Sequence, residues 1–370
     1  KSNSEEGKLM ALASYGKYSK KIQSKLNKFL KYDMKTGDFY LNPVLRFGGN
    51  RDTNPRFSKD FIKIFGKPLF NNKKISNYHR KLAFNVQWRL EEIVKLLVKN
   101  LIKISKISNL CLAGGVHMNC KLNGALANLS EVKQIYIQPA ASDNGVALGA
   151  AMLSAKNEKG NFQKMEHCYY GNSFSNNEIL KYLKESKIKF NKVKNIEKIV
   201  AEKLSKGKIV GWFQGRSEVG ARALGNRSIL ANPLMKNMKK KLNDEVKHRE
   251  NWRPFCPSVN DYRYKDYFGN VPESDFMILA FKIKEKYKEI LPSAIHVDGT
   301  ARPQIVRKKN NKKFYKLIKE FEKITGQAII INTSFNIQGE PIVNKPSEAI
   351  RCFSGTGIDY LALGDFLISK

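Results

Sequence analysis

Asn109-Leu110-Cys111-Leu112-Ala113-Gly114-Gly115-Val116-His117-Met118-Asn119 opens the stretch on which the fold turns. A short apolar strand, Asn109–Leu112, runs into paired glycines, and a helical pattern follows around Asn119–Asn128. The phrase then repeats with different chemistry. A strand over Gln134–Gln138 leads into Pro139-Ala140-Ala141-Ser142-Asp143-Asn144-Gly145, and a helix over Val146–Ala155, rich in Ala and Gly, comes next. Strand, loop, helix, strand, loop, helix is α/β grammar, and it places ligand groups at strand ends.

Working outward, Leu82, Val86, Leu90, Ile93, Leu96, Leu97 and Leu101 fall at helical spacing and predict a long amphipathic helix from about Asn77 to Ile104. Residues 1–70 hold turn residues and short apolar stretches, ending in Phe65-Gly66-Lys67-Pro68. A boundary is expected near Asn157–Gly171, dividing the chain into residues 1–165 and 166–370, as a length of 370 residues suggests. Past it, a new α/β region is read as helices near Asn176–Glu185 and Ile196–Lys206 and a strand over Ile209–Phe213. A strand over Asp275–Lys284, a helix over Lys313–Thr325 and a buried strand over Ala328–Ile331 complete it.

Composition narrows the class. With 42% hydrophobic residues each domain can bury a core. No apolar run approaches the roughly 18 residues a membrane span needs, and no apolar signal segment opens the chain. The five cysteines are scattered without CxxC spacing, which argues against a disulfide framework or a zinc knuckle and fits a reducing cytoplasm. The 67 basic and 33 acidic residues give +34. Lysines dominate and are spread along the chain, so the charge reads as a solvated basic surface rather than a nucleic-acid face.

Several motifs carry candidate chemistry. Gly114 and Gly115 let backbone approach a phosphate or ribose, with Asn119 as a donor, or they simply make a tight strand-to-helix turn. Asp143 is either a helix cap or a metal ligand. In Gln214-Gly215-Arg216-Ser217-Glu218-Val219-Gly220-Ala221-Arg222-Ala223-Leu224-Gly225-Asn226-Arg227-Ser228, three arginines sit among three glycines after an apolar strand. Arginine kept in a lysine-rich chain suggests a geometric need, and its fork matches phosphate oxygens. Lys247-His248-Arg249-Glu250-Asn251-Trp252-Arg253-Pro254-Phe255 adds three cations, with Trp252 and Phe255 suited to stacking on a base or to a core. His296–Gln304 places a His, an acid and Arg302 within nine residues. Asn332-Thr333-Ser334-Phe335-Asn336 follows a buried strand and reads as a strand-end ligand site or as an Asx/ST turn.

These phrases, with Gly7–Gly16, Asn251–Pro254 and Gly339-Glu340-Pro341 in the same order, resemble the NodU/CmcH/TobZ family of carbamoyltransferases over nearly the whole chain. The resemblance implies the latter part of an ATPase-type domain of actin/sugar-kinase architecture over residues 1–165, then a YrdC-like α+β domain over 166–370. The second would make carbamoyl-adenylate from carbamoyl phosphate and ATP. The first would transfer the carbamoyl group to an acceptor hydroxyl, aided by a divalent metal such as iron, manganese or magnesium. Lys247, Arg249, Arg222 and Arg253 would stabilise the charge that develops on phosphorus oxygens. Arg216, Arg227, Ser228, Arg302, Ser334 and Asn336 would hold nucleotide and phosphate, and Gly114, Gly115 and Asn119 the adenylate. Asp143 would be a metal ligand. The family's His-rich N-terminal motif has no counterpart in residues 1–100, where His79 has no His neighbour, so the chain is expected to be a fragment or half of a split enzyme, with the missing N-terminal segment as a partner. The competing readings are a threonylcarbamoyl-adenylate enzyme of tRNA modification and a non-catalytic basic RNA-binding protein.

Overall fold

The computed structural model describes residues 6–33, 35–42, 57–69, 74–158, 160 and 165–370. The chain divides into two compact units. The smaller comprises Lys1–Leu110 with Ala125–Ile135, and the larger Cys111–Gly124 with Tyr136–Lys370.

In the smaller unit, α1 (Glu6–Ala13), α2 (Lys20–Phe29), β1 (Leu30–Tyr32), β2 (Phe39–Leu41) and α3 (Lys59–Phe65) precede α4, Asn77–Ser105. The long helix read from spacing is therefore present almost to its ends. It stops at Lys106, whose φ of 60° is left-handed. Its buried face is not purely apolar. Asn85 Oδ1 accepts from the Ser19 amide at 3.0 Å and from Gln23 Nε2 at 3.0 Å, while its Nδ2 donates to the Lys17 and Lys81 carbonyls. Every polar atom of this buried amide is thus satisfied, as an interior site demands.

The chain continues through β3 (Asn109–Leu112), α5 (Cys120–Ala127), β4 (Gln134–Ile137) and α6 (Val146–Asn157), with β3 and β4 forming a two-stranded sheet. Helix α6 buries no side chain, and Val146 and Leu153 are 67% and 62% exposed.

The rest of the larger unit contains α7 (Asn176–Glu185), β5 (Asn191–Lys192), α8 (Ile196–Ser205), β6 (Val210–Phe213), β7 (Arg227–Ala231) and α9 (Met238–Lys241), which passes into a π-helical turn, Leu242–Lys247. Then come β8 (Cys256–Asn260), α10 (Tyr264–Phe268), β9 (Phe281–Lys282), β10 (Thr300–Ala301), β11 (Gln304–Val306), α11 (Lys312–Thr325), β12 (Ile329–Ser334), α12 (Pro346–Ser354), β13 (Tyr360–Leu363) and β14 (Phe366–Ser369). Eight strands form one mixed sheet in the order β11-β8-β12-β7-β6-β13-β14-β5. β11 with β8 and β13 with β6 are parallel, and the other pairs are antiparallel. The fold is mixed α/β around this sheet.

The strand period of two sorts side chains onto the two faces. Leu230 and Ile330 meet Val200, Leu204, Phe314 and Phe321 of α8 and α11 on one side. Ile229 and Ile331 meet Ile179, Val246 and Phe353 on the other. Burying side chains on both faces gives the near-continuous apolar run Ala328–Ile331 seen in the sequence.

Two strand readings need correction. Only Phe281–Lys282 of Asp275–Lys284 is a strand, pairing with Thr300–Ala301. Met277 has φ 54°, which breaks extension, and its side chain is anchored in a small cluster with Cys168, Leu224 and Cys256. Conversely, β12 does not stop at Ile331. Asn332, Thr333 and Ser334 pair with Leu230, Ile229 and Ser228, so these polar residues lie within the sheet and not in a loop after it.

Candidate functional site

The π-helical turn ends on His248, whose φ of 46° is left-handed. A single wide turn of this kind often marks a functional position, and here it aims Lys247 into the larger unit. Lys247 is buried, and its Nζ donates to Asn336 Oδ1 and the Asn336 carbonyl, each at 2.9 Å, and to the Ser334 carbonyl. Ser334 Oγ donates to Asn336 Oδ1 at 2.7 Å, so the two sequence-distant pairs close into one cluster. Burial first, and then the Arg249 and Arg253 cations, hold the Lys247 ammonium well below its ordinary range.

Arg249 is fixed by Asn243 Oδ1, which accepts from its Nε at 2.7 Å, and its guanidinium lies 4.6 Å over the Phe255 ring. Burial, reinforced by Arg253, pushes its pKa down to about 9, still cationic at neutral pH. Phe255 is buried, so this ring supports an arginine rather than a base. Asn243 also donates from Nδ2 to the Arg253 carbonyl at 3.2 Å. Glu250 lies 3.8 Å from Arg253.

Arg222 and Arg302 extend the cluster. Arg302, more than burial, lowers Arg222 to about 10. Arg222 Nε is buried without a hydrogen-bond partner among the described residues. Arg302 Nε donates to Cys256 Sγ at 3.0 Å, and the Cys120 thiol, raised by burial against the pull of Arg302 and Arg222, lies beside the same pair. Among the described residues no carboxylate lies within ion-pair distance of Lys247, Arg249, Arg222 or Arg302. Buried like charges countered among the described residues only by Glu250, which acts on Arg249 from beyond ion-pair distance, are unfavourable unless an anion joins them, so this arrangement suits a phosphate-bearing ligand.

The remaining candidates lie elsewhere or act differently. Arg227 is fully buried, and its guanidinium donates to the Gln214, Gly215 and Asn226 carbonyls and to that of Asn172 while lying 3.6 Å over Phe213. Ser228 Oγ accepts from the Gly225 amide at 3.0 Å. Arg216 is exposed and donates to the Gly171 and Tyr170 carbonyls. These three therefore hold the glycine-rich loop. Gly225 needs to be glycine: its φ is 104°, and a Cβ there would lie 2.2 Å from Phe314.

The Gly114 loop also belongs to the larger unit. Gly114 has φ 97° and donates its amide to the Ala141 carbonyl at 2.6 Å, and Cβ atoms on Gly114 or Gly115 would meet nothing within 4 Å. Asn119 Oδ1 accepts from the Leu122 amide at 3.1 Å at the start of α5. Asp143 sits in an exposed 3-10 turn, and the residue capping α6 is Gly145, so no side-chain cap arises from Asp143. Among the described residues no three His, Cys, Asp or Glu side chains come together as metal ligands. The described residues around Asp143 thus do not make up a divalent-metal site.

The sequence singles out neither Asn243 nor Gln304 for a role, and Asn332 only as one residue of the Asn332–Asn336 motif. Gln304 and Asn332 form a buried network with Ser258 beneath the glycine-rich loop, in which Asn332 Nδ2 donates to the Ala223 carbonyl at 3.3 Å and Gln304 Nε2 to the Leu224 carbonyl at 2.7 Å. Polar side chains inside otherwise apolar strands are the available signal.

The C-terminal carbamoyltransferase family profile matches residues 201–370, and the N-terminal one matches residues 1–152. The chain is 38% identical to nodulation protein NolNO of Sinorhizobium fredii over 79% of its length and 44% of that protein's. It is 35% identical to an uncharacterized protein of Synechocystis and 36% identical to one of Methanocaldococcus jannaschii, covering all of this chain and 65% and 59% of theirs. The chain thus spans roughly half to two-thirds of these relatives. Part of the fold superposes on HypF, crystallised with phosphate and nucleotide, with 22% identity over 48% of this chain and 26% of that one, but a TM-score of 0.34 carries no weight. No helix among the described residues is long and apolar enough to cross a membrane.

Proposed function

The chain belongs to the carbamoyltransferase family, and from that premise we propose that residues 166–370, as a YrdC-like unit, form carbamoyl-adenylate from carbamoyl phosphate and ATP. In this reading the acyl-phosphate anhydride bond of carbamoyl phosphate is cleaved by water, releasing inorganic phosphate and carbamate. A carbamate oxygen then bonds to the α-phosphorus of ATP, and pyrophosphate departs with the electron pair of the broken P–O bond. Lys247, Arg249, Arg253, Arg222 and Arg302 stabilise the charge on these oxygens, while Ser334 and Asn336 orient Lys247. Fixed cations in a buried site need little reorganisation during reaction, which is where most such stabilisation arises.

Residues 1–165, with Gly114, Gly115 and Asn119 near the adenylate, belong in this proposal to the ATPase-type domain that moves the carbamoyl group onto an acceptor hydroxyl. AMP leaves, and the hydroxyl proton departs with it. In this proposal Asp143 is the residue that would hold any divalent metal the transfer uses.

The observation that carries the reading is the convergence of Lys247 on Ser334 and Asn336, beside Arg249, Arg222 and Arg302, which have no carboxylate within ion-pair distance among the described residues. The test is pyrophosphate release by the 370-residue chain. Release that requires both ATP and carbamoyl phosphate supports it. Release with threonine and bicarbonate at a comparable rate gives the tRNA-modification reading instead, and none with either set, from folded protein, removes the enzymatic one.

A further inference from the structure

We propose that Glu218 is the positioning residue of this site: its carboxylate gathers the backbone of the glycine-rich loop and so sets Arg222 against Arg302 and the bound anion. The inference rests on the nucleotide reading above.

Glu218 is the acidic residue within a loop otherwise built of arginine, glycine and small side chains. One of its oxygens, Oε1, accepts from the Leu224 and Asn226 amides at 2.8 Å each and from the Arg227 amide at 3.2 Å. The carbonyl side of the same segment is held from elsewhere. Gln304 and the Tyr169 hydroxyl donate to the Leu224 carbonyl at 2.7 and 2.8 Å, and Trp212 Nε1 donates to that of Gly225 at 2.9 Å. The segment just after Arg222 is therefore gripped on both edges, with Glu218 on the amide edge.

The carboxylate sits there at a cost. Its Oε2 is buried with no hydrogen-bond partner among the described residues, and burial raises its pKa although three amides pull the other way. A buried polar atom left unsatisfied is unfavourable, and what offsets it is the reach of Oε1 to three amides at once, which a shorter side chain such as serine does not span. Three converging amides favour an anionic acceptor, and a loop fixed that firmly holds the Arg222 guanidinium in one place. Arg222 Nε has no hydrogen-bond partner among the described residues, so the backbone rather than a hydrogen bond at that nitrogen sets its direction.

The experiment compares Glu218→Asp and Glu218→Gln with the unaltered chain. Pyrophosphate release is followed as a function of carbamoyl phosphate, and backbone amide exchange is recorded for Leu224, Asn226 and Arg227. Aspartate is one methylene short of reaching all three amides, whereas the glutamine amide oxygen keeps the reach. Glu218→Asp should speed exchange at the three amides together and lower kcat/KM by about 100-fold, the scale for a catalytic group misplaced by about 1 Å. Glu218→Gln should recover most of that loss. A folded Glu218→Asp with unaltered kcat/KM, or with exchange unchanged at those amides, overturns the proposal while leaving the nucleotide reading intact. Should Glu218→Asp fail to fold, a Glu218→Gln that folds but is as inactive as an Arg222→Ala chain also overturns it. No pyrophosphate from the unaltered chain overturns the nucleotide reading first and this inference with it.

Discussion

Lys247 Nζ and Asn336 Oδ1 lie 2.9 Å apart although 89 residues separate them in sequence. The contact joins the π-helical turn to the end of β12. β12 runs through Ser334, and Asn336 follows two residues later.

Arg249→Ala removes the guanidinium that Asn243 and Phe255 hold in place. ATP affinity should fall by about 1.5–3 kcal/mol, roughly ten- to a hundredfold in Kd, the range for a charge-assisted hydrogen bond. Calorimetric titration of folded variant and parent decides it, and equal affinities would remove Arg249 from the site.

Lys247 should make stability depend on pH. Its folded pKa is depressed by burial below the ordinary 10.5, so between the two values the unfolded chain binds more protons than the folded one. Stability then rises with pH across that interval and is lost as pH falls. Urea unfolding at stepped pH below 10.5 should show this slope in the parent and a flatter one in Lys247→Met. A bound polyphosphate should also flatten it, by favouring the ammonium.

Gly225→Ala combines a positive φ with a Cβ driven into the Phe314 ring. Destabilisation of about 1–3 kcal/mol is expected from the backbone alone, with further loss where Phe314 cannot shift. Denaturant midpoints measure it, and a midpoint matching the parent would show that the loop relaxes.

Since no set of metal ligands converges among the described residues, dialysis of the purified chain against a chelator should leave its thermal midpoint unchanged. A drop in the midpoint, restored by manganese or iron, would reveal ligands outside the described residues.

Periodicity makes much of the scaffold legible. The spacing from Leu82 to Leu101 marks α4, and the apolar run at Ala328–Ile331 marks the heart of β12. Polarity misleads at Asn332–Ser334, because sequence alone does not show that these residues pair with Leu230, Ile229 and Ser228 inside the sheet. Arginine in a lysine-rich chain does signal geometry, yet for Arg227 the oxygens matched by the fork are backbone carbonyls. The pairing of Lys247 with Ser334 and Asn336 has no local signature at all. It is expected only through the resemblance, since a contact between distant segments is a property of topology.

Helix α6 leaves Val146, Met152 and Leu153 largely open to water on a protein that carries +34. At low ionic strength mutual repulsion keeps such molecules apart. Salt shortens the reach of that repulsion to about 10 Å at 0.1 M, while the apolar stripe is untouched by screening. The chain's colloidal behaviour should therefore run opposite to ordinary salting-in: dispersed in dilute buffer, and self-associating through an oily ridge as salt is added.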